Sequence, residues 1–174
     1  MFRPALISSL LARTSAARTP ITLSIRAMSS QPRFSKGSDE ASLTAALGPL
    51  LSQSGGRWAL TKEGEALERS FKFKNFAKTW DFMTAVSLQC KLKNHHPEWS
   101  NVYNTTFIRW TTHNPQGLSD MDVTLASICD ALARDFGEVI EPLAETLSAT
   151  EASCTMGGLA DSAAAASGNC CGQK

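Results

Sequence analysis

The tetrapeptide Asn94-His95-His96-Pro97 stands between two stretches of opposite hydrophobic period. Upstream, Phe76, Trp80, Met83, Val86, Ser87 and Cys90 recur at helical spacing behind the candidate N-cap Asn75, with Ala85 and Leu88 widening the apolar face. Downstream, Asn101 to Thr112 is rich in Tyr, Thr, Phe, Ile and Trp and alternates, Val102, Thr106, Ile108 and Trp110 against Tyr103, Phe107 and Arg109. Proline has no N–H and forces the residue before it to be extended. A helix over 76–93 must therefore stop here, and one or two strands must follow.

The pattern around this break has the same character. Leu43, Ala46, Leu47, Leu50 and Leu51 predict a first helix that Pro49 bends or shortens and Gly55-Gly56 ends. Trp58-Ala59-Leu60 and Leu67 to Lys74 read as a hairpin, the second strand placing Leu67, Arg69, Phe71 and Phe73 on one face. Ser119 with Asp122 three residues on is a capping-box start for a last helix, whose stripe is Leu125, Ile128, Cys129, Leu132, Phe136 and Val139, up to Pro142. Strands followed by helices on one face indicate an α+β domain with an antiparallel sheet covered by helices on one side.

Only residues 39–142 carry this patterning. Residues 1–38 hold Arg3, Arg13, Arg18, Arg26, Arg33 and Lys36 and no acid, the first being Asp39. With Leu6, Ile7, Leu10 and Leu11 on one face, this is the composition of a mitochondrial presequence; the bland reading is a basic tail. Met28 offers a second start, giving a cytoplasmic form. Without the four arginines before it, the 17 basic residues fall to 13 against 16 acidic. Residues 143–174, rich in Ala, Ser and Gly, read as a flexible tail whose Cys154, Cys170 and Cys171 lack the spacing of a metal site. Cys90 and Cys129 read as small core residues. A net charge of +1 gives no basic field for nucleic acid, and no apolar run is long enough for a membrane span.

All 3 histidines, His95, His96 and His113, fall within one short stretch at the two ends of the β-patterned run. A His₃ zinc site is disfavoured, since adjacent histidines point apart and no His-x-His or His-x-x-x-His spacing is present. Acid–base chemistry suits them better, because a free imidazole with a pKa of about 6.5 both gives and takes protons near neutrality. The structural alternative is that they are polar loop residues. Asp122 has two readings, a helix-capping carboxylate or a partner that orients a histidine. Trp58 likewise is either a pocket wall or a core residue.

The string Asn94-His95-His96-Pro97-Glu98-Trp99-Ser100-Asn101-Val102-Tyr103, with Thr111-Thr112-His113, Gly117-Leu118-Ser119-Asp120-Met121-Asp122 and Leu125-Ala126, resembles the signature of the pterin-4a-carbinolamine dehydratases. The resemblance extends upstream through Trp58, Phe71 to Phe76 and Phe82-Met83, covering roughly residues 39–141. It implies a four-stranded antiparallel sheet with three helices packed on one face, and a homodimer or homotetramer. It also implies removal of water from 4a-hydroxytetrahydrobiopterin to give the quinonoid dihydropterin, without metal or cofactor. By match, His95 and His113 would be the acid–base pair and His96 would bind and orient the pterin. Trp58, Pro97, Thr112, Asn114 and Pro115 would line the site, and Asp122 could orient a histidine. Where many members carry an acidic residue, four positions before the first histidine, this chain has Lys91. Members of the family also serve as dimerisation cofactors of a transcription factor, a binding role that uses helical surfaces instead of the histidines.

Overall fold

Asp39 accepts a hydrogen bond from the Ser42 N–H (3.3 Å) and opens helix α1, Glu40–Leu47, in a computed structural model that describes residues 31–61, 63–140 and 156–163. Pro49 does not break this region but turns it into a 3-10 helix, Gly48–Leu50, where its missing N–H is harmless in the first turn. The chain reverses at Gly55, in the left-handed region at φ +88°, and enters strand β1, Ala59–Leu60. Strand β2, Leu67–Lys72, pairs back antiparallel with β1.

Helix α2 spans Phe76–Lys93, with Asn75 Oδ1 accepting from the Lys78 N–H (3.0 Å) and Asn94 closing it in the left-handed conformation. Strands β3, Glu98–Val102, and β4, Thr105–Trp110, follow as a tight hairpin turning at Tyr103-Asn104. A second small hairpin, β5 (Thr112–His113) and β6 (Gln116–Gly117), leads into helix α3, Asp120–Asp135. The main sheet runs β1-β2-β4-β3, all antiparallel. The architecture is α+β, a four-stranded antiparallel sheet with its three main helices on one side.

The inner face of the sheet supplies Leu67, Phe71, Ile108 and Trp110, which meet Phe82 and Val86 of α2 and Val123, Leu125, Ala126 and Cys129 of α3. Phe82 lies between Phe71 (4.9 Å) and Phe73 (5.0 Å). Burying each of these large side chains stabilises the fold by roughly 1.5–3 kcal/mol. One charge is buried on this face. Arg69 bonds to Asp130 and to both oxygens of Glu138 (2.6 Å each) and lies 4.2 Å over the Phe71 ring, so the sheet holds the end of α3 through a satisfied ion pair.

Several expectations need correction. The apolar stripe expected for α2 is only in part its buried face: Val86 is buried and Met83 and Cys90 pack against the core, as expected, but the stripe's other members turn outward and Phe82 takes their place. Thr79, Phe82 and Val86 are buried, whereas Phe76, Trp80 and Leu88 are about half exposed. The apolar set is wider than one face of a 3.6-residue period, and packing on the sheet selects the side carrying Phe82, which meets Phe71 and Phe73. Val102 faces outward because the turn at Tyr103-Asn104 resets the alternation before β4. Val139 lies beyond the end of α3 and is exposed, its N–H bonded to the Lys72 carbonyl.

The ordered body also begins earlier than residue 39. The Arg33 N–H bonds to the Gly64 carbonyl (2.8 Å), and Phe34 bridges Leu118, forming a strap along the edge of the molecule. Gly117 (φ +131°) is required beneath it, since a Cβ there would stand 2.7 Å from the Phe34 backbone. Within the segment read as a flexible tail, residues 156–163 form a helix, α4. Its Met156 and Ala160 cover Phe107 on the outer face of the sheet. The Arg-rich segment before residue 31 and Cys154, Cys170 and Cys171 lie outside the described residues. No helix among the described residues is long and apolar enough to cross a membrane.

Candidate active site

Asn94 places its αL turn where the last carbonyls of α2 remain open, and the His95 N–H bonds to the Cys90 carbonyl (3.1 Å). His95 therefore leaves the helix in a fixed direction, with its ring parallel to Trp110 of β4 (5.8 Å between centroids, 18° between planes). Pro97 sends the chain on as β3, and His96, beside it, is exposed. The His96 ring lies 6.3 Å from His95 on one side and 5.7 Å from His113 on the other, with interplanar angles of 26° and 22°. The β5–β6 hairpin returns His113 to the same edge. The three imidazoles thus form one row, grading from the buried Trp110 to solvent.

At the inner end of the row His95 Nε2 is 2.6 Å from Asp122 Oδ1. The other carboxylate oxygen accepts from the Ser119 N–H (2.8 Å), the Ser119 hydroxyl (2.9 Å) and the Thr112 hydroxyl (2.8 Å). Asp122 has no solvent exposure, and these donors satisfy a carboxylate that water does not reach. An ionised carboxylate can only accept, so Nε2 carries the proton and Nδ1 is the free lone pair of a neutral His95. Both readings of Asp122 hold at once. It completes the capping box of α3 and it orients a histidine.

At the outer end His113 Nε2 is 3.6 Å from Glu98 Oε1, within ion-pair reach but too long for a hydrogen bond. Its hairpin turns through Asn114-Pro115, which are exposed and joined by a cis peptide. The strap holds this turn from outside, the Ser35 hydroxyl donating to the Pro115 carbonyl (2.7 Å).

His95, His96, Pro97, Thr112, His113, Asn114, Pro115 and Asp122 all lie on this edge. Trp58 does not. It is fully buried in the core, edge-on to Phe71 (5.7 Å), with its indole N–H on Asp130 (2.8 Å), so of its two roles the structure supports packing. Lys91 is exposed in the last turn of α2. The Cys90 thiol is pushed up to about 11 by burial, and burial raises that of Cys129 too. Both therefore stay protonated near neutral pH. Among the described residues no three His, Cys, Asp or Glu side chains are grouped to hold a metal ion.

Glu98, Ser119 and Ser35 were not among the residues singled out in the sequence as part of the site. Ser119 was legible only as a helix cap. Glu98 stands two positions from His96, but its meeting with His113 depends on the β3–β4 register, in which Glu98 lies opposite Arg109. Ser35 lies in a stretch without period, and no local signal marks it.

The family model described as pterin 4 alpha carbinolamine dehydratase matches residues 38–132. The chain belongs to that family. A protein of Mesorhizobium japonicum named "Putative pterin-4-alpha-carbinolamine dehydratase" is 42% identical over 84 residues, 48% of this chain and 81% of its own length. Proteins of the same name are 47% identical in Prochlorococcus marinus, over 43% of this chain and 76% of their own, and 50% identical in Synechococcus, over 40% and 75%. A crystallised transcriptional coactivator/pterin dehydratase from Brucella melitensis is 34% identical, with a TM-score of 0.48, over 54% of this chain and 95% of that one. Helix α4 lies outside the matched residues.

Proposed function

We propose that this chain removes water from a 4a-hydroxytetrahydropterin, such as 4a-hydroxytetrahydrobiopterin, by acid–base catalysis on its histidine row. The observation that carries the reading is the row itself, with one imidazole of fixed tautomer at the buried end and one beside a carboxylate at the open end. In the reaction the C4a–O bond breaks and the leaving hydroxide takes a proton from an imidazolium to become water. A second imidazole removes a proton from a ring N–H, and the ring electrons close to the quinonoid dihydropterin. Atoms and charge balance with two proton transfers. His95 and His113 are the acid–base pair, and His96 between them orients the flat pterin ring. Pro97, Thr112, Asn114 and Pro115 border the bound ring, and Asp122 fixes His95. In tetrahydrobiopterin recycling this step would precede a reductase.

The test generates 4a-hydroxytetrahydropterin enzymatically and follows quinonoid dihydropterin with no protein, the full chain, and its His113→Ala variant. The full chain accelerates the step and the folded variant loses roughly 10²-fold or more. A folded parent that does not exceed the spontaneous rate overturns the reading.

The exposed stripe Phe76, Trp80, Leu88 and Leu92 on α2 supports self-association as a homodimer or homotetramer. Trp80→Glu then shifts the protein to monomer in sizing experiments. The acid-free N-terminal segment supports import into mitochondria, checked by fusing residues 1–30 to a fluorescent reporter.

A further inference from the structure

The outer face of the sheet carries a charge cluster that the dehydration scheme does not use. Arg109 of β4 is its centre. Its Nη1 donates to Glu98 Oε2 (3.2 Å) and also to Asp161 of α4, and its Nη2 and Nε donate to Glu68 Oε2 (3.1 and 3.3 Å). One guanidinium therefore serves three carboxylates, and two of them, Glu98 and Asp161, share a single nitrogen. The remaining oxygen of Glu98, Oε1, is the one that stands 3.6 Å from His113 Nε2. Helix α4 is seated for this contact by more than charge. The Ser100 hydroxyl donates to the Met156 carbonyl (2.9 Å), Met156 and Ala160 bury Phe107, and Gly157 passes close enough that a Cβ would touch that ring at 3.6 Å.

We infer that Glu98 is a positioning residue for His113, and that Asp161 of the C-terminal helix supports that role by partly neutralising Arg109. The catalytic consequence of this coupling rests on the dehydratase reading; the coupling itself does not. A carboxylate beside Nε2 favours the ring when it is charged, whether His113 starts as the acid or becomes charged as the base. Arg109 opposes this to the extent that it neutralises Glu98. With Asp161 on the second N–H of Nη1, part of the guanidinium's positive potential is cancelled, and the Glu98 charge acts more fully on the imidazole. Without Asp161 the guanidinium turns fully to Glu98 and Glu68. A segment outside the family domain thus takes part in setting the electrostatics of its open-end histidine.

The experiment uses the full chain and three variants, Glu98→Gln, Glu98→Asp and Asp161→Asn, with thermal melts to confirm folding. Two readouts are taken, steady-state dehydration and the ring ¹⁵N and ¹³C resonances of the histidines. Glu98→Gln lowers kcat about tenfold with KM within about twofold, and Glu98→Asp recovers most of it, since the charge rather than the shape matters. Asp161→Asn lowers kcat by only about twofold, because its carboxylate is largely exposed and weakly coupled. In the Glu98→Gln background Asp161→Asn has no further effect. His113 resonances move in both single variants while those of His95 stay in place. Unchanged His113 resonances in folded Glu98→Gln overturn the positioning role. Unchanged resonances in Asp161→Asn, or an equal effect of that substitution in both backgrounds, overturn the part given to the tail helix. If the parent shows no dehydration but the His113 resonances respond as stated, the coupling stands and it is the dehydratase reading that fails.

Discussion

His95 has 10% side-chain exposure and its Nε2 lies 2.6 Å from a carboxylate with none, whereas His113 has 34% exposure and its nearest carboxylate is 3.6 Å away. The first is held by an αL turn, a flat tryptophan and a four-donor carboxylate that also caps a helix. The second rides on a two-residue strand, steadied from outside by the strap and the Glu98–Arg109 cluster. An imidazole locked in the core keeps one tautomer, while one at the rim can exchange protons with water. The pair teaches that two identical side chains acquire different chemistry from what lies behind them.

The sharpest way to break the contrast is Asp122→Asn. It removes the charge and leaves one acceptor oxygen for both sides, so either His95 Nε2–H or the Ser119 and Thr112 donors face an NH2 group, kcat falls about 10³-fold and stability drops by about 2–4 kcal/mol. Single-turnover kinetics and denaturant melts check both, and a loss of rate without loss of stability would mean that the network is less integral than its burial implies. His113→Ala lowers kcat by roughly 10²-fold, yet stability changes by under about 1 kcal/mol because little is buried there. The contrast between the two melts is the test.

Cys90, whose carbonyl anchors His95, probes the rigid side without touching catalysis. With its thiol pushed up to about 11 from 9.0, it carries less thiolate at pH 8 and reacts with iodoacetamide roughly tenfold or more slowly than in the unfolded chain. The rate recovers as pH rises toward that value, so alkylation followed by peptide mapping across pH 7–11 reads it. Smallest is Ser35→Ala, which frees the Pro115 carbonyl and costs about 0.5–1.5 kcal/mol. Amide exchange then rises in the β5–β6 hairpin and not at α2, and kcat falls about twofold.

The limits of α2 were legible because both are written locally, in Asn75 at the start and in Asn94 and Pro97 at the stop. Its buried face was legible only in part, at Met83, Val86 and Cys90, since Phe82 competes with Phe76 and Trp80 for the core and only the sheet chooses between them. The gathering of the three histidines was visible as proximity in sequence, and Asp122 as a cap at fixed spacing from Ser119. What escaped was whatever depends on register or on chain brought in from afar. Glu98 faces His113 through pairings that no local pattern specifies, and Asp161 arrives from a segment with no hydrophobic period. Trp58 shows the reverse case, an aromatic whose type suits a ligand wall but whose N–H is claimed by Asp130.

The backbone strap at Arg33 and Phe34 sets a boundary on how the chain can be trimmed. Arg33 and Ser35 make four hydrogen bonds, one to Gly64 in the β1–β2 turn and three to Leu118 and Pro115 beside the hairpin that bears His113. Proteolytic removal of everything up to Pro32 leaves those bonds in place, and so does initiation at Met28. A cut only three residues further on strips the outer support of the rim histidine and removes Phe34 from the edge of the hydrophobic core. The edge of the folded body is thus defined to within a few peptide bonds, and the first part to feel its loss is the hairpin that carries His113.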